Sequence, residues 1–298
     1  MAKRITKNWQ LYFFLLPACA YYLIFHYMPM YGVQIAFKNY TVVKGIWGSD
    51  WIGFDHFLRF FNSYYFKDLI LNTLGISFYM LAVAFPIPIV LALGFNELKN
   101  GAFKKLVQTV TYAPHFISMV VMTGIILTFL HPQTGMVNQI ITWLGMDSIS
   151  FISRPEWFKT IYVFSDVWQN AGWGTIIYLA ALSGVDPQLH EAAVMDGATR
   201  LQRLRHINVP AILPAMIILL IMNVGNMMAI GFEKIYLLQN PLNMSASDVI
   251  STYVYRSGLQ QAQYSFSSAV GLFNAVINCI LLIIVNFIAK RTSETSLW

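Results

Sequence analysis

The sequence predicts an all-α integral membrane protein with six transmembrane helices, and three observations carry that prediction. Of 298 residues, 57% are hydrophobic and 11% charged, whereas a soluble domain carries roughly 25% charged residues. A water-soluble core could not hide that much apolar surface. Six apolar runs each approach the roughly 20 residues that a helix needs to cross the hydrocarbon core. Lys and Arg residues are dense in alternate connections between those runs, as membrane topology requires.

The first run extends from Leu11 to Phe37 behind Lys3, Arg4 and Lys7. Ala18-Cys19-Ala20 superficially resembles a signal-peptidase site, but the apolar character continues beyond it, so the segment reads as an uncleaved anchor. The other five runs are Leu69 to Phe95, Leu106 to Leu130, Thr160 to Ser183, Ile212 to Phe232 and Ser268 to Ala289. Six spans place both termini on one side. The amino tail, Asn96 to Lys105, the connection after Ser183 and the tail from Lys290 hold 11 Lys and Arg in about 57 residues. The alternate connections, residues 36–68, 131–159 and 233–267, hold 8 in nearly 100. The positive-inside rule therefore puts both termini in the cytoplasm. Residues 1–68 read as a tail, first helix and outer loop, 69–290 as a five-helix core, and 291–298 as a cytoplasmic tail.

The three outer connections are rich in Trp, Tyr and Phe, which fit an interfacial belt. Prolines interrupt several spans, including Pro86, Pro88, Pro114 and Pro214; such breaks persist where neighbouring helices or cavity water satisfy the freed carbonyls. Cys19 and Cys279 both lie inside apolar runs, which suits neither a disulfide framework nor a zinc site. The net charge of +6 comes from scattered residues, without the patch or motif of a nucleic-acid-binding protein.

The stretch from Asp186 to Pro214, DPQLHEAAVMDGATRLQRLRHINVPAILP, organises the rest. Asp186 is an N-cap and Pro187 occupies the first helical position, where the missing N–H has no partner to lose. Ala192 and Ala193 give a turn of little bulk, and Asp196-Gly197 offers a break or a close approach. Arg200, Arg203 and Arg205 follow as positive-inside anchors before the next span. The segment is a basic, exposed docking helix that leads into a membrane.

Glu191-Ala192-Ala193, Gly197, Ile207 and Val209-Pro210 have the spacing of the EAA loop of binding-protein-dependent ABC importer permeases, with valine in place of the usual leucine. The chain resembles that family. TYAPHFIS at Thr111 to Ser118, WQNAGWGTIIYLAAL at Trp168 to Leu182, GFEKIYLLQNP at Gly231 to Pro241, DVISTYVYRSGL at Asp248 to Leu259 and the closing Ser296-Leu297-Trp298 are similar to the LplB-type subgroup of carbohydrate permeases. The resemblance implies a type I importer (MetI-like) permease fold in a bacterial cytoplasmic membrane. It implies import of oligosaccharides derived from complex polysaccharides. The implied partners are a second homologous permease, two cytoplasmic ABC ATPases that carry ATP and Mg, and an extracytoplasmic solute-binding protein. Glu191, Ala192, Ala193, Asp196, Gly197, Ile207 and Pro210 would form the ATPase-coupling surface.

No catalytic constellation is present in the sequence. His190-Glu191 begins like HExxH, but Val194 occupies the second histidine position, and no GxxxxGK[ST] loop occurs. The chain is therefore expected to bind no cofactor and to hydrolyse nothing. Candidates for a substrate path are polar residues within spans: Asp166, Trp168, Gln169, Asn170, Trp173, Asn223 and Asn226. Asp166 reads in two ways, as a sugar-hydroxyl acceptor beside a stacking Trp168 or Trp173, or as a carboxylate near the outer end of its helix reached by water or an arginine. Asn72, Asn223, Asn226, Asn274 and Asn278 pose the same choice between substrate contact and interhelical bonding. An ion-coupled secondary transporter and a membrane enzyme for lipid-linked sugars are the rival functions. The first would need buried titratable groups, of which Asp166 is nearly the sole example, and the second a cluster of carboxylates or histidines. His115 and His131, at opposite ends of one predicted span, supply no such cluster.

Overall fold

The structure, a computed structural model, describes residues 9–292 and 296–297. Lys3, Arg4, Lys7 and Trp298, used above, lie outside the described residues. The chain divides into two compact units, residues 1–63 with 254–273, and residues 64–253 with 274–298.

In the first unit, α1 (Trp9–Tyr22) continues through a π turn at Leu23–Tyr27 and a tight helical segment at Tyr31–Phe37. Residues Tyr12–Phe37 together are long and apolar enough to cross a membrane. A two-residue antiparallel ribbon pairs Lys38 with Trp51 and Asn39 with Asp50. Helix α2 (Asp55–Phe61) follows and buries Phe60 edge-on to Phe273, with ring centroids 5.5 Å apart. Its Arg59 lies 4.4 Å over the Phe266 ring and donates to Gln263 Oε1 at 2.8 Å. The cation is thus used on both its face and its edge.

The second unit contains α3 (Phe66–Val83), α4 (Pro86–Glu97), α5 (Ala102–Tyr112), α6 (Met119–Phe129), α7 (Met136–Trp143), α8 (Pro155–Ser183), α9 (Pro187–Met195), α10 (Val209–Gly225) and α11 (Phe232–Leu238). Helix α12 (Tyr264–Thr292) begins in the first unit and ends in the second. The 29-residue α8 is the axis of this unit. Phe158, Tyr162 and Val163 on its first half pack with Ile76, Met122 and Ile235. Tyr178 and Leu182 on its second half pack with Ile89, Leu93 and Ile212. Between these clusters a Cβ added at Gly172 would collide with the Thr111 carbonyl of α5, so glycine lets the two backbones touch.

Two expectations need correction, and a third is reached only in part. Among the described residues, four helical stretches are long and apolar enough to cross a membrane, or five if a bent pair counts as one, of the six expected. Helix α8 is long enough, but Asp166, Gln169 and Asn170 dilute its apolar character. The expected single span from Leu106 to Leu130 is bent through 101° between Ala102–Phe116 and Met119–Phe129. Pro114 has no N–H to continue the ladder, and Ser118 caps the new helix by accepting from Val121 N at 3.4 Å. The span expected at Ile212 to Phe232 instead runs within Arg200–Gly225, and Asn226 terminates it.

Candidate functional site

Helix α9 begins as expected. Asp186 Oδ1 accepts from Gln188 N at 2.9 Å, and Pro187 takes the first helical position. It ends at Gly197, whose φ is +77°, the left-handed conformation that glycine adopts without Cβ strain. Gly197 N donates to Val194 O at 3.0 Å and Ala198 N to Ala193 O at 2.8 Å, which closes the last turn with both bonds of a Schellman motif. Thr199 and Gln202 then form a reciprocal capping box at the start of the short Arg200–Arg203 turn. The Thr-x-x-Gln spacing is a second helix-start signal in the sequence, beyond Asp186-Pro187.

Glu191, Ala192, Asp196 and Gly197 are exposed, and among the described residues nothing but the glycine's own chain neighbours lies within 4 Å of where a Gly197 side chain would begin. Leu189, Val194 and Met195 are exposed beside them, Met195 at 86%. Contiguous apolar exposure of this kind is a feature of interaction surfaces. Ile207 and Pro210 lie behind it, lining a groove with Gly184, Leu189 and His206 at the root of the loop. The seven residues singled out for coupling thus divide into Glu191, Ala192 and half-buried Ala193 on α9, Asp196 and Gly197 at its C-terminal cap, and Ile207 and Pro210 at its base.

Between α3, α8, α10 and α11 lies a cavity of about 490 Å³. Asp166, Asn223 and Asn226 line it together with Tyr162, Tyr178 and Lys234. Asp166 Oδ1 accepts from Asn170 Nδ2 at 3.0 Å and lies 3.8 Å from Lys234 Nζ. Lys234 is 1% exposed; its ammonium also donates to Tyr162 O at 3.3 Å and lies 5.0 Å over the Tyr162 ring. Burial pushes that ammonium below the usual lysine range, to about 8, against the opposing pull of Asp166. Asn170 Oδ1 in turn meets His115 Nδ1 at 3.0 Å, and the His115 ring stacks on Trp173 at 4.5 Å.

The remaining candidates lie elsewhere. Gln169 is buried and donates to Ile117 O at 3.0 Å, bracing the bend between α5 and α6. Trp168 lines a separate apolar groove with Met122, Phe129, Trp157 and Phe164. Asn72 donates to Ser245 O at 2.8 Å and Asp248 O at 3.2 Å, and Asn278 accepts from Met228 N at 2.9 Å. These two hold backbone to backbone. Sequence reasoning missed Lys234, which follows Glu233 at the edge of an apolar run, and weighed His115 only for a catalytic cluster; the bend after Pro114 is what brings it to Asn170.

The family model for the binding-protein-dependent transport system inner membrane component matches residues 84–294. The chain belongs to this permease family. The permease is 44% identical over 295 residues to the polygalacturonan/rhamnogalacturonan transport system permease protein YteP of Bacillus subtilis (strain 168), covering 99% of this chain and 92% of that one. It is also 44% identical to Protein LplB of the same organism, over 100% of this chain and 93% of that one. Its fold matches a chain in the crystal structure of a bacterial alginate ABC transporter in complex with an alginate pentasaccharide-bound periplasmic protein. That match has a TM-score of 0.91 at 43% identity and covers 99% of each chain. A second alginate importer structure matches at TM-score 0.90 and 44% identity, over 97% of this chain and 98% of that one. Membership decides against the ion-coupled and enzymatic readings, because permeases of this family are transport subunits and separate ATPase subunits hydrolyse ATP.

Proposed function

We propose that this permease forms the translocation path of an ABC importer for oligosaccharides released from complex polysaccharides. It pairs with a second permease, receives substrate from an extracytoplasmic binding protein and is driven by two cytoplasmic ATPases that hold ATP and Mg. The importer has both termini in the cytoplasm and six spans, with α8 as the polar one. The observation that carries the coupling role is α9 itself, capped at both ends and presenting Glu191, Ala192, Ala193 and Gly197 beside uncovered Leu189, Val194 and Met195. A short helix so fixed by its caps can move as a rigid piece with the cleft that holds it. ATP-driven closure of the ATPase pair then displaces α9, and the spans attached to it rock to present the cavity outward. The energy of that step is the difference in docking between two states. End-to-end similarity to a polygalacturonan/rhamnogalacturonan permease and to an alginate transporter subunit supports the oligosaccharide class.

The test is ATP hydrolysis in proteoliposomes holding the assembled importer, with and without loaded binding protein. Ala192→Arg places a long cation on exposed helix without disturbing either cap, and is expected to abolish ATPase co-purification and stimulated hydrolysis. Gly197→Arg is expected to do the same, with roughly 1–2 kcal/mol of added left-handed strain. If Ala192→Arg leaves both assembly and stimulation intact, α9 is not the docking element.

A further inference from the structure

We propose that Lys234 is the positioning residue for a substrate-hydroxyl acceptor at Asp166, and that this wall of the cavity recognises hydroxyl groups of the oligosaccharide. The proposal rests on the importer reading above. It starts from which atoms are occupied. Both partners of Asp166, Asn170 Nδ2 at 3.0 Å and Lys234 Nζ at 3.8 Å, engage Oδ1, and Oδ2 has no hydrogen bond or ion pair among the described residues. The carboxylate side chain is 19% exposed and lines the cavity, while Lys234, at the wall of the same cavity, is 1% exposed. Across the cavity, Asn223 and Asn226 each donate one Nδ2 hydrogen to the backbone one turn earlier, to Leu219 O at 2.7 Å and Met222 O at 3.0 Å. Their Oδ1 atoms likewise have no protein partner among the described residues.

Three acceptor oxygens therefore stand unoccupied around one space of about 490 Å³. Ligands that satisfy acceptors carry donors, and a sugar presents hydroxyls on every ring. A lone carboxylate in this setting would take up a proton to escape the cost of burial, and would then lose one acceptor. Lys234 supplies the opposite charge that lets Asp166 stay ionised, and Tyr162 holds the ammonium through its carbonyl and its ring. Asn170, itself held by His115, fixes the second side of Oδ1. The carboxylate is thereby turned so that one oxygen is anchored and the other is offered.

The experiment uses the assembled importer in proteoliposomes, with fluorescent alginate and polygalacturonan pentasaccharides as probes. Lys234→Met is expected to lower uptake at least tenfold and to produce a protonated-carboxyl infrared band that is absent from wild type and from Asp166→Asn/Lys234→Met. Lys234→Arg, which keeps the charge, is expected to keep uptake within threefold of wild type. The double variant removes the buried pair together, so it should regain assembly and binding-protein-stimulated hydrolysis while uptake stays at least fivefold down. Recovery of wild-type uptake in the double variant would reduce the pair to packing and overturn the proposal, as would absence of the carboxyl band from Lys234→Met. If the wild type moves neither probe, the substrate reading fails on its own. The infrared comparison still decides whether Lys234 keeps Asp166 ionised.

Discussion

At the scale of single residues, the permease separates positions that need a side chain from positions that must lack one. Gly172 belongs to the second kind, since its missing Cβ is what allows α8 to lie against the Thr111 carbonyl. Gly172→Ala forces the two helices apart and is expected to cost about 1–3 kcal/mol, as overpacking of a close interface does. A lower midpoint of thermal unfolding of the purified complex would show it, and an unchanged midpoint would mean that the helices separate without loss. Gly197 lacks a Cβ for the other reason, backbone handedness, and its surroundings are open. The two glycines look alike in the sequence. What distinguishes them is a φ angle and a neighbour, and only the Asp-Gly pairing at Gly197 hinted at its role.

At the scale of elements, the breaks carry as much as the helices. The bend at residues 116–119 leaves the Ile117 carbonyl outside any helical ladder, and Gln169 on α8 donates to it. Gln169→Leu removes that donor and is expected to destabilise the bend by about 1–3 kcal/mol, the usual cost of an unsatisfied buried group. Faster hydrogen exchange over residues 113–119, with other segments unchanged, would report it; uniform protection would mean another donor takes over. The caps of α9 were legible because they are local: Asp186-Pro187 and Gly197 act within a turn of their own helix. The bend was not, because a hydropathy window reads apolar content and is blind to direction. Pro114 and Ser118 signalled a stop and a start there, but either fits a mild kink as well. Asp166, Asn223 and Asn226 were legible as polar residues in apolar runs, while Lys234 was hidden because its partner lies far away along the chain.

At the scale of the whole molecule, the alternation of basic residues and the family match give a multi-pass membrane protein, and the sidedness of its ends is a prediction in its own right. A cysteine-free background, Cys19 and Cys279 replaced by serine, allows single reporters at exposed Asp196 and Trp143. Asp196→Cys is expected to react with a membrane-impermeant maleimide only after the cytoplasmic face is opened, and Trp143→Cys in intact cells. The reverse pattern would invert the topology and put α9 out of an ATPase's reach.

The contrast between α8 and its neighbours also has a mechanical meaning. An unbroken 29-residue helix behaves as a push-rod, carrying an axial displacement from one end to the other. A pair bent through 101° behaves as an elbow, converting the same displacement into rotation. Helix α9 follows the end of the rod after residues 184–186, and Gln169 is the pin between rod and elbow. The elbow itself is built in by Pro114, which has no N–H to carry the helical ladder through the turn.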